Sequence, residues 1–282
     1  MNSLNRSLDL RRPEGFMFDL DGTLILSNRE LGQYQVLSGA VELLTTLKDR
    51  GIPFVVLTNG SAYPPAEQAP RLRTLGLPIA DEDLLTPSSV AADMMPRRGV
   101  KRAMVLGTPG VGQTLRDVGI ETLAPGDEGA EQADAVYVGW HPECSMADIQ
   151  AACAAILNGA EFYVASDVAF FATSAGKAFG YSCAIAGAIR HVTGAPVILT
   201  GKPSLHALRL VSRRLGVAMR RIAVVGDDPY VEILMARRGG AIGLGVTSGV
   251  TGQAEWKAQV PSRRPHGILT TVGDILTSGL LP

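Results

Sequence analysis

An α/β protein with a mostly parallel sheet is predicted by two features of the chain. Short apolar runs rich in β-branched residues recur along it, and stretches with helical periodicity separate them. The runs cover residues 16–19, 54–59, 103–107, 135–139, 161–165, 196–201, 222–227 and 241–246, and most close on Gly, Asp, Asn or Lys. Strands that alternate with helices imply βαβ units, hence parallel pairing. Ile222-Ala223-Val224-Val225 is apolar without alternation, the pattern of a strand covered on both faces.

The intervening helices carry their own signals. Val41, Leu44, Leu47 and Lys48 share one helix, which Gly51 closes from just past its end. Thr86-Pro87 sets a capping residue before the proline favoured in a first turn. Ser145 with Asp148 resembles a capping box, opening a helix through Leu157. Further helices are expected over residues 203–215 and 230–238, and a last strand over 267–272.

Composition removes several function classes. A hydrophobic content of 46% against 19% charged residues in 282 residues allows a sizeable core and argues against disorder. With 26 basic and 27 acidic residues the net charge is −1, which gives no field for nucleic acid or an anionic membrane. The basic cluster of Arg97, Arg98, Lys101 and Arg102 reads as solvated loop and helix ends. Cys144, Cys153 and Cys183 form no CxxC pair and no His stands at metal-ligand spacing, so reduced thiols are expected. Residues 1–15 lack the apolar centre of a secretory signal, and no window approaches a membrane span. The expectation is a cytoplasmic protein that binds neither nucleic acid nor membrane.

In parallel sheets functional groups gather at the carboxyl ends of strands, which directs attention to how each run closes. Phe18-Asp19-Leu20-Asp21-Gly22-Thr23 closes the first. Its two carboxylates, two residues apart, leave the strand on one side because side chains there repeat with period two. A bare DxD is more often an acidic turn; the full string directly after a buried-type strand is not. Thr58-Asn59-Gly60 closes the second run and offers a hydroxyl plus backbone N–H groups to phosphate oxygens. Gly201-Lys202-Pro203 brings an ammonium to a helix start, and Gly226-Asp227-Asp228 brings a carboxylate suited to Mg²⁺, a hard cation. Each of these three alone reads as an ordinary turn or surface lysine; their order behind one DxDGT string makes the case.

Phosphoryl chemistry accounts for these residue types. Phosphate monoesters are anionic, so catalysis is mainly positioning and charge neutralisation. Asp19 is expected to attack phosphorus and form an aspartyl-phosphate. Mg²⁺ held by Asp19, the backbone carbonyl of Asp21 and Asp227 would offset the meeting of two anions. Asp21 would protonate the leaving oxygen and then accept a proton from water.

With the four motifs in this order, the chain from about residue 14 onward resembles the haloacid dehalogenase-like superfamily. It is most similar to the NagD-like branch, which holds p-nitrophenyl, phosphoglycolate, nucleotide, sugar and pyridoxal phosphatases. The Val246-Thr247-Ser248-Gly249 stretch belongs to the resemblance. It implies that Asp19 is the nucleophile and Asp21 the acid/base. Thr58, Asn59 and Gly60 would bind phosphate, Lys202 neutralise it and Asp227 hold Mg²⁺. The implied fold is a doubly wound Rossmann-like core, residues 1–86 and 196–282, interrupted by an inserted α/β cap of the C2 type over 87–195. Homodimers paired through the cap are also implied. Asp21 favours phosphate chemistry, since the dehalogenases lack this second aspartate.

Departures from the branch are equally specific. Glu232 stands where a second aspartate is usual; with Asp228 it is expected behind the metal ligands, tuning the site. In the cap, Ser166-Asp167-Val168-Ala169 replaces T-N-x-D, and Gly180-Tyr181-Ser182-Cys183 replaces Pro-Gly-x-Gly. Ser166, Asp167 and Tyr181 are therefore the expected specificity residues.

Other strings are decoys. Gly107-Thr108-Pro109-Gly110-Val111-Gly112-Gln113-Thr114 approaches a P-loop but has Gln113 at the lysine position. Ala175-Gly176-Lys177 lacks the upstream glycine, and Gly243-Leu244-Gly245 lacks the third glycine of a dinucleotide fingerprint. His141, His191, His206 and His266 read as surface or capping residues; Trp140 and His141 could also approach the core site, though buried or loop roles are favoured.

Three functions stay open at this level. The first is a phosphatase of a small metabolite: a sugar phosphate, a phosphoglycolate-like compound or a nucleotide monophosphate. The second is a non-hydrolytic phospho-metabolite-binding or regulatory module, which would not need the intact set of Asp19, Asp21 and Lys202. The third is a phosphotransferase to an acceptor other than water.

Overall fold

The computed structural model describes residues 12–27, 34–173 and 176–281. The segment read as lacking a secretory signal lies, through residue 11, outside the described residues, as does Ala175 of the Ala175-Gly176-Lys177 string.

Six strands form a parallel sheet in the spatial order Gly267–Leu269, Ile242–Val246, Ile222–Gly226, Gly15–Phe18, Phe54–Leu57 and Leu84–Leu85. The chain starts centrally, runs to one edge through residue 85, then returns to build the other edge from residue 222. The order therefore reverses between Gly15–Phe18 and Ile222–Gly226, and that crevice is where a doubly wound sheet binds its ligand. Every residue of Gly15–Phe18, Phe54–Leu57, Ile222–Gly226 and Ile242–Val246 is buried, as apolar runs covered on both faces require. Alternation divides them: Phe16, Phe18 and Val56 pack on one face with Leu43 and Leu47, and Met17, Val55 and Val224 on the other.

A second parallel sheet has the order Ile198–Leu199, Glu161–Val164, Ala135–Val138, Arg102–Leu106 and Glu121–Leu123. Helices Pro87–Met94 and Leu205–Leu215 lie in the apolar layer between the sheets. That layer joins Met17 and Val224 of the first sheet to Ala135, Tyr137 and Tyr163 of the second. The far face of the second sheet packs under Met146–Leu157 and Tyr181–Thr193. Of the run expected over 196–201 only Ile198–Leu199 pairs, and it does so with Tyr163 and Val164. The chain past Gly194-Ala195-Pro196 thus still supplies an edge strand of the second sheet before returning to the first.

Local signals act as their chemistry dictates. Thr86 and Ser89 satisfy each other's backbone N–H groups at one helix start, and Ser145 and Asp148 do so at another. Gly51 follows Ala40–Asp49 with φ +65°. Two expectations need correction. The helix expected over 230–238 begins as a π turn, Pro229–Ile233, and becomes α-helical only over Leu234–Gly239. The wider turn carries Glu232 back over Gly226, where a Cβ would lie 2.2 Å from Glu232 Cγ; such turns recur at functional sites. The last strand stops at Leu269, because Asp274 accepts from the Thr270 and Thr271 N–H groups and opens a 3₁₀ turn there.

Trp256 is fully buried against Gly245, and its Nε1 donates to the Val246 carbonyl at 2.9 Å. Trp256→Ala is expected to cost about 3–5 kcal/mol through the cavity and the lost bond. Equilibrium urea unfolding measures it, and a loss under about 1 kcal/mol contradicts the packing described.

Candidate active site

The site grows from the ends of the central strands. Asp19 follows Gly15–Phe18, is buried, and donates its N–H to the Val225 carbonyl at 2.9 Å. Leu20 turns into the core, while Asp19 and Asp21 face the same cavity, as period two requires. Gly22 reverses the chain with φ +81°, and Thr23 Oγ1 donates to Asp19 Oδ2 at 3.3 Å. Tyr34 lines the same cavity, where burial and the Asp21 carboxylate hold its phenol above its ordinary value.

Lys202 comes in from the chain that leaves the second sheet. Its ammonium is 1% exposed; it bonds Asp19 Oδ1 and lies 2.8 Å from Glu232 Oε1. Burial alone would lower its pKa, but the two carboxylates outweigh that and hold it above its ordinary value. Asn59 fixes this arrival: its Nδ2 donates to the Lys202 carbonyl at 3.0 Å, and its Oδ1 accepts from the Lys202 N–H at 2.8 Å. The Asn59 amide is thus engaged with backbone, so the group it can offer an anion is its own N–H. Thr58 is buried, and its Oγ1 accepts from the Gly60 N–H at 2.9 Å, which orders the turn.

Asp19, Asp227 and Glu232 present carboxylate oxygens within 4.8 Å of one another. Asp227 Oδ2 accepts from the Val250 N–H at 2.8 Å. Glycine is needed on both sides of it: a Cβ on Gly22 or Gly249 would fall 2.2 or 2.0 Å from Asp227 Oδ2. Ser248 Oγ ties the same loop to the Gly22 carbonyl at 2.8 Å. Burial pushes Asp227 well above the usual carboxylate range, with Asp19 and Glu232 adding to the rise. Burial also pushes Glu232 up to about 7, against the lowering by Lys202. Five carboxylates and one ammonium line the cavity among the described residues. Clustered buried oxygens with excess negative charge suit a hard divalent cation, so these residues fit Mg²⁺.

Glu232 and Asp228 were expected behind the metal ligands. Glu232 places a carboxylate oxygen beside those of Asp19 and Asp227 and pairs with Lys202, where the π turn swings it inward. Asp228 Oδ1 caps that turn by accepting from the Tyr230 N–H at 2.7 Å, and its own N–H donates to Glu232 Oε2.

Above this floor lies a cavity of about 180 Å³, closed on its other side by residues that follow strands of the second sheet. Of the residues expected to set specificity, Ser166 and Tyr181 line it; Asp167 is not in the lining and is exposed. Trp140 also lines it, where a buried or loop role was favoured; its N–H donates to Ser61 Oγ at 3.0 Å. Tyr34, Tyr63 and Gln68 line it as well and carried no sequence signal beyond lying near the motifs.

The P-loop-like string makes a helix start, with Gly110 packed against the Ala62 carbonyl and Gln113 bonded to Asp117. The expectation of no His at ligand spacing to a Cys is corrected: His141, Cys144 and Asp148 bring ligand atoms within 4.8 Å. Asp148 there serves as the helix cap, accepting from the Ser145 N–H at 2.7 Å, and burial raises the Cys144 thiol pKa.

Glu232 has a sign that can be tested in metal-free protein. Its carboxyl titrates near 7 when folded against an ordinary 4.5, so the folded state holds more protons between those values. Stability contributed by this group is present below 4.5 and lost as pH rises through 7, and Asp227 acts in the same direction. In EDTA the unfolding free energy should fall by on the order of 2 kcal/mol across that window, and Glu232→Gln should flatten the slope. An unchanged slope in the variant refutes the assignment.

Comparison with known proteins agrees with this geometry. A family model described as haloacid dehalogenase-like hydrolase matches residues 16–121, and a second, HAD-hydrolase-like, matches 199–275. The 5'-nucleotidase YutF of Bacillus subtilis (strain 168) is 28% identical over 239 residues, covering 84% of this chain and 88% of its own. Ribonucleotide monophosphatase NagD of Escherichia coli (strain K12) is 25% identical over 244 residues, covering 83% and 87%. The crystal structure of hypothetical protein PH1952 from Pyrococcus horikoshii OT3 superposes with a TM-score of 0.84 at 25% identity, covering 93% of this chain and 98% of that one. Sequence, fold and site together place this chain in the haloacid dehalogenase-like hydrolases, in their NagD-like branch.

Proposed function

We propose that this protein is a Mg²⁺-dependent phosphatase of small phosphorylated metabolites that works through an aspartyl-phosphate on Asp19. The observation that carries this reading is the convergence of Asp19, Lys202, Asp227 and Glu232 in one buried cluster at the crevice where strand order reverses. That YutF is named a 5'-nucleotidase and NagD a ribonucleotide monophosphatase supports it.

In this mechanism Asp19 attacks phosphorus, the ester P–O bond breaks, and Asp21 gives its proton to the leaving oxygen. Asp21 then accepts a proton from a water whose oxygen attacks the same phosphorus, the P–O bond to Asp19 breaks, and phosphate leaves. Lys202 neutralises charge on the phosphoryl oxygens while it fixes the rotamer of Asp19. The Thr58 hydroxyl and the Asn59 N–H hold the remaining oxygens; the Gly60 N–H, expected there as well, already donates to Thr58 Oγ1. Mg²⁺, when bound, would be held by Asp19, Asp227 and the Asp21 carbonyl, and would supply positive charge where two anions meet.

Residues 87–195 act as a cap that excludes water from the reaction and sets specificity, with Tyr181 and Ser166 at its inner surface. A buried Lys202–Asp19 pair is not needed by a module that only binds, which counts against the non-hydrolytic alternative. The cap also serves as the contact between two copies; sedimentation velocity should show a dimer, and a single monomer species at all working concentrations refutes that.

Asp19→Asn is expected to lower kcat for p-nitrophenyl phosphate by at least about 10³-fold, and EDTA to abolish wild-type turnover until Mg²⁺ is restored. Full Mg²⁺-dependent activity in Asp19→Asn refutes the mechanism.

A further inference from the structure

The cavity joins two surfaces of different character. Its floor comes from the first sheet and carries the charged groups; its roof comes from the inserted segment and carries rings. Trp140 follows the Ala135–Val138 strand, Tyr181 opens the Tyr181–Thr193 helix, and Phe170 begins the hairpin Phe170–Thr173/Gly176–Phe179. These rings are locked edge to face. Trp140 and Tyr181 have centroids 4.8 Å apart at 83°, Tyr181 and Phe179 5.4 Å at 85°, and Phe179 and Phe170 6.1 Å at 72°. Perpendicular rings present edges and faces in fixed directions, the arrangement to which a further flat ring adds with good geometry. Phe170 and Phe179 are about half exposed, so apolar surface stands at the mouth of the cavity for a guest to cover.

Charge and hydrogen bonding narrow the guest further. Lys202 is the one cation among the described lining residues, and Asp19 and Glu232 already hold it. The Arg71 guanidinium, not itself in the lining, lies 4.2 Å over the Tyr63 ring and pairs with Glu67. A second anionic group on a substrate would therefore meet carboxylates and rings without a counter-charge. A polyhydroxylated leaving group fares little better. Ser182 Oγ donates to the Ser166 carbonyl at 2.9 Å, and Ser166 Oγ accepts from the Val168 N–H at 3.2 Å, so the two roof serine hydroxyls already serve the backbone.

We infer that the site selects phosphate monoesters whose leaving group is an uncharged flat ring and rejects those with a second anionic group, Trp140 and Tyr181 being the selecting side chains. The inference rests on the phosphatase reading and adds the chemistry of the leaving group to it. Binding energy from the ring wall would appear as a lower KM, because these contacts lie away from the reacting phosphorus.

Benzyl phosphate, glycerol 2-phosphate and phosphoglycolate test this in the Mg²⁺-loaded protein, since all three release an alkoxide and differ mainly in the group presented to the roof. The expected result is a kcat/KM for benzyl phosphate at least about tenfold above both others, carried by KM. Trp140→Ala and Tyr181→Ala should each raise KM for benzyl phosphate and shrink that ratio to about threefold or less, while Tyr181→Phe, which keeps the ring, preserves it. Equal kcat/KM for the three compounds in wild type, or phosphoglycolate as the best, overturns the inference and leaves the phosphatase reading standing. A full benzyl advantage in both alanine variants overturns the assignment to these two residues. Absence of turnover with every compound overturns both readings together.

Discussion

An ammonium group almost wholly withdrawn from water is the constraint around which this molecule is arranged, because a buried charge persists only where partners hold it. Lys202 meets Asp19 from one strand end and Glu232 from the turn after another. Breaking such a pair by removing one partner costs about 3–5 kcal/mol, since the remaining charge stays buried. The surrounding backbone is shaped to bring the three groups together. Asn59 grips Lys202 through both its N–H and its carbonyl, and the π turn over Pro229–Ile233 delivers Glu232 across Gly226. The same contacts that stabilise the fold fix the orientation of the Asp19 carboxylate.

The trio of Asp19, Asp227 and Glu232 carries the opposite strain. Burial raises the proton affinity of Asp227 and Glu232, and the neighbouring carboxylates add to the rise against the lowering of Glu232 by Lys202. A divalent cation bound among these oxygens would relieve the repulsion and thereby stabilise the fold. Glycine at 22 and 249 lets the backbone close around Asp227 and keeps the oxygens converged. The two sheets are in turn held in register by the apolar layer between them, in which Met17 and Val224 pack with Ala135 and Tyr137. Ser61, just past the Thr58-Asn59-Gly60 turn, accepts from the Trp140 N–H and ties the ring wall to that turn.

Much of this was legible in the residues. Parallel strands covered on both faces must be continuously apolar, so Ile222-Ala223-Val224-Val225 and its counterparts were visible as runs, and their closing residues pointed to Asp19, Thr58 and Asp227. Capping pairs at Thr86 and Ser145 were equally visible, because capping depends on neighbours in sequence. Asp167 was misplaced because a loop residue's direction depends on what the loop packs against, and here it faces outward. The role of Trp140 was underweighted for the same reason: its position follows from how one sheet sits on another.

By itself the sequence determined the fold class, the succession of strands and the identity of the carboxylates, lysine and hydroxyl at their ends. Those features arise from burial patterns and backbone chemistry that act over a few residues. Only the tertiary structure decided that Glu232 joins Asp19 and Asp227 and pairs with Lys202, that the Asn59 side chain grips backbone, and that Trp140, Tyr181 and Phe170 form one wall. Contacts across 143 or 183 positions of chain, as for Asn59 and Asp19 with Lys202, are created by sheet order and packing. No local spacing encodes them.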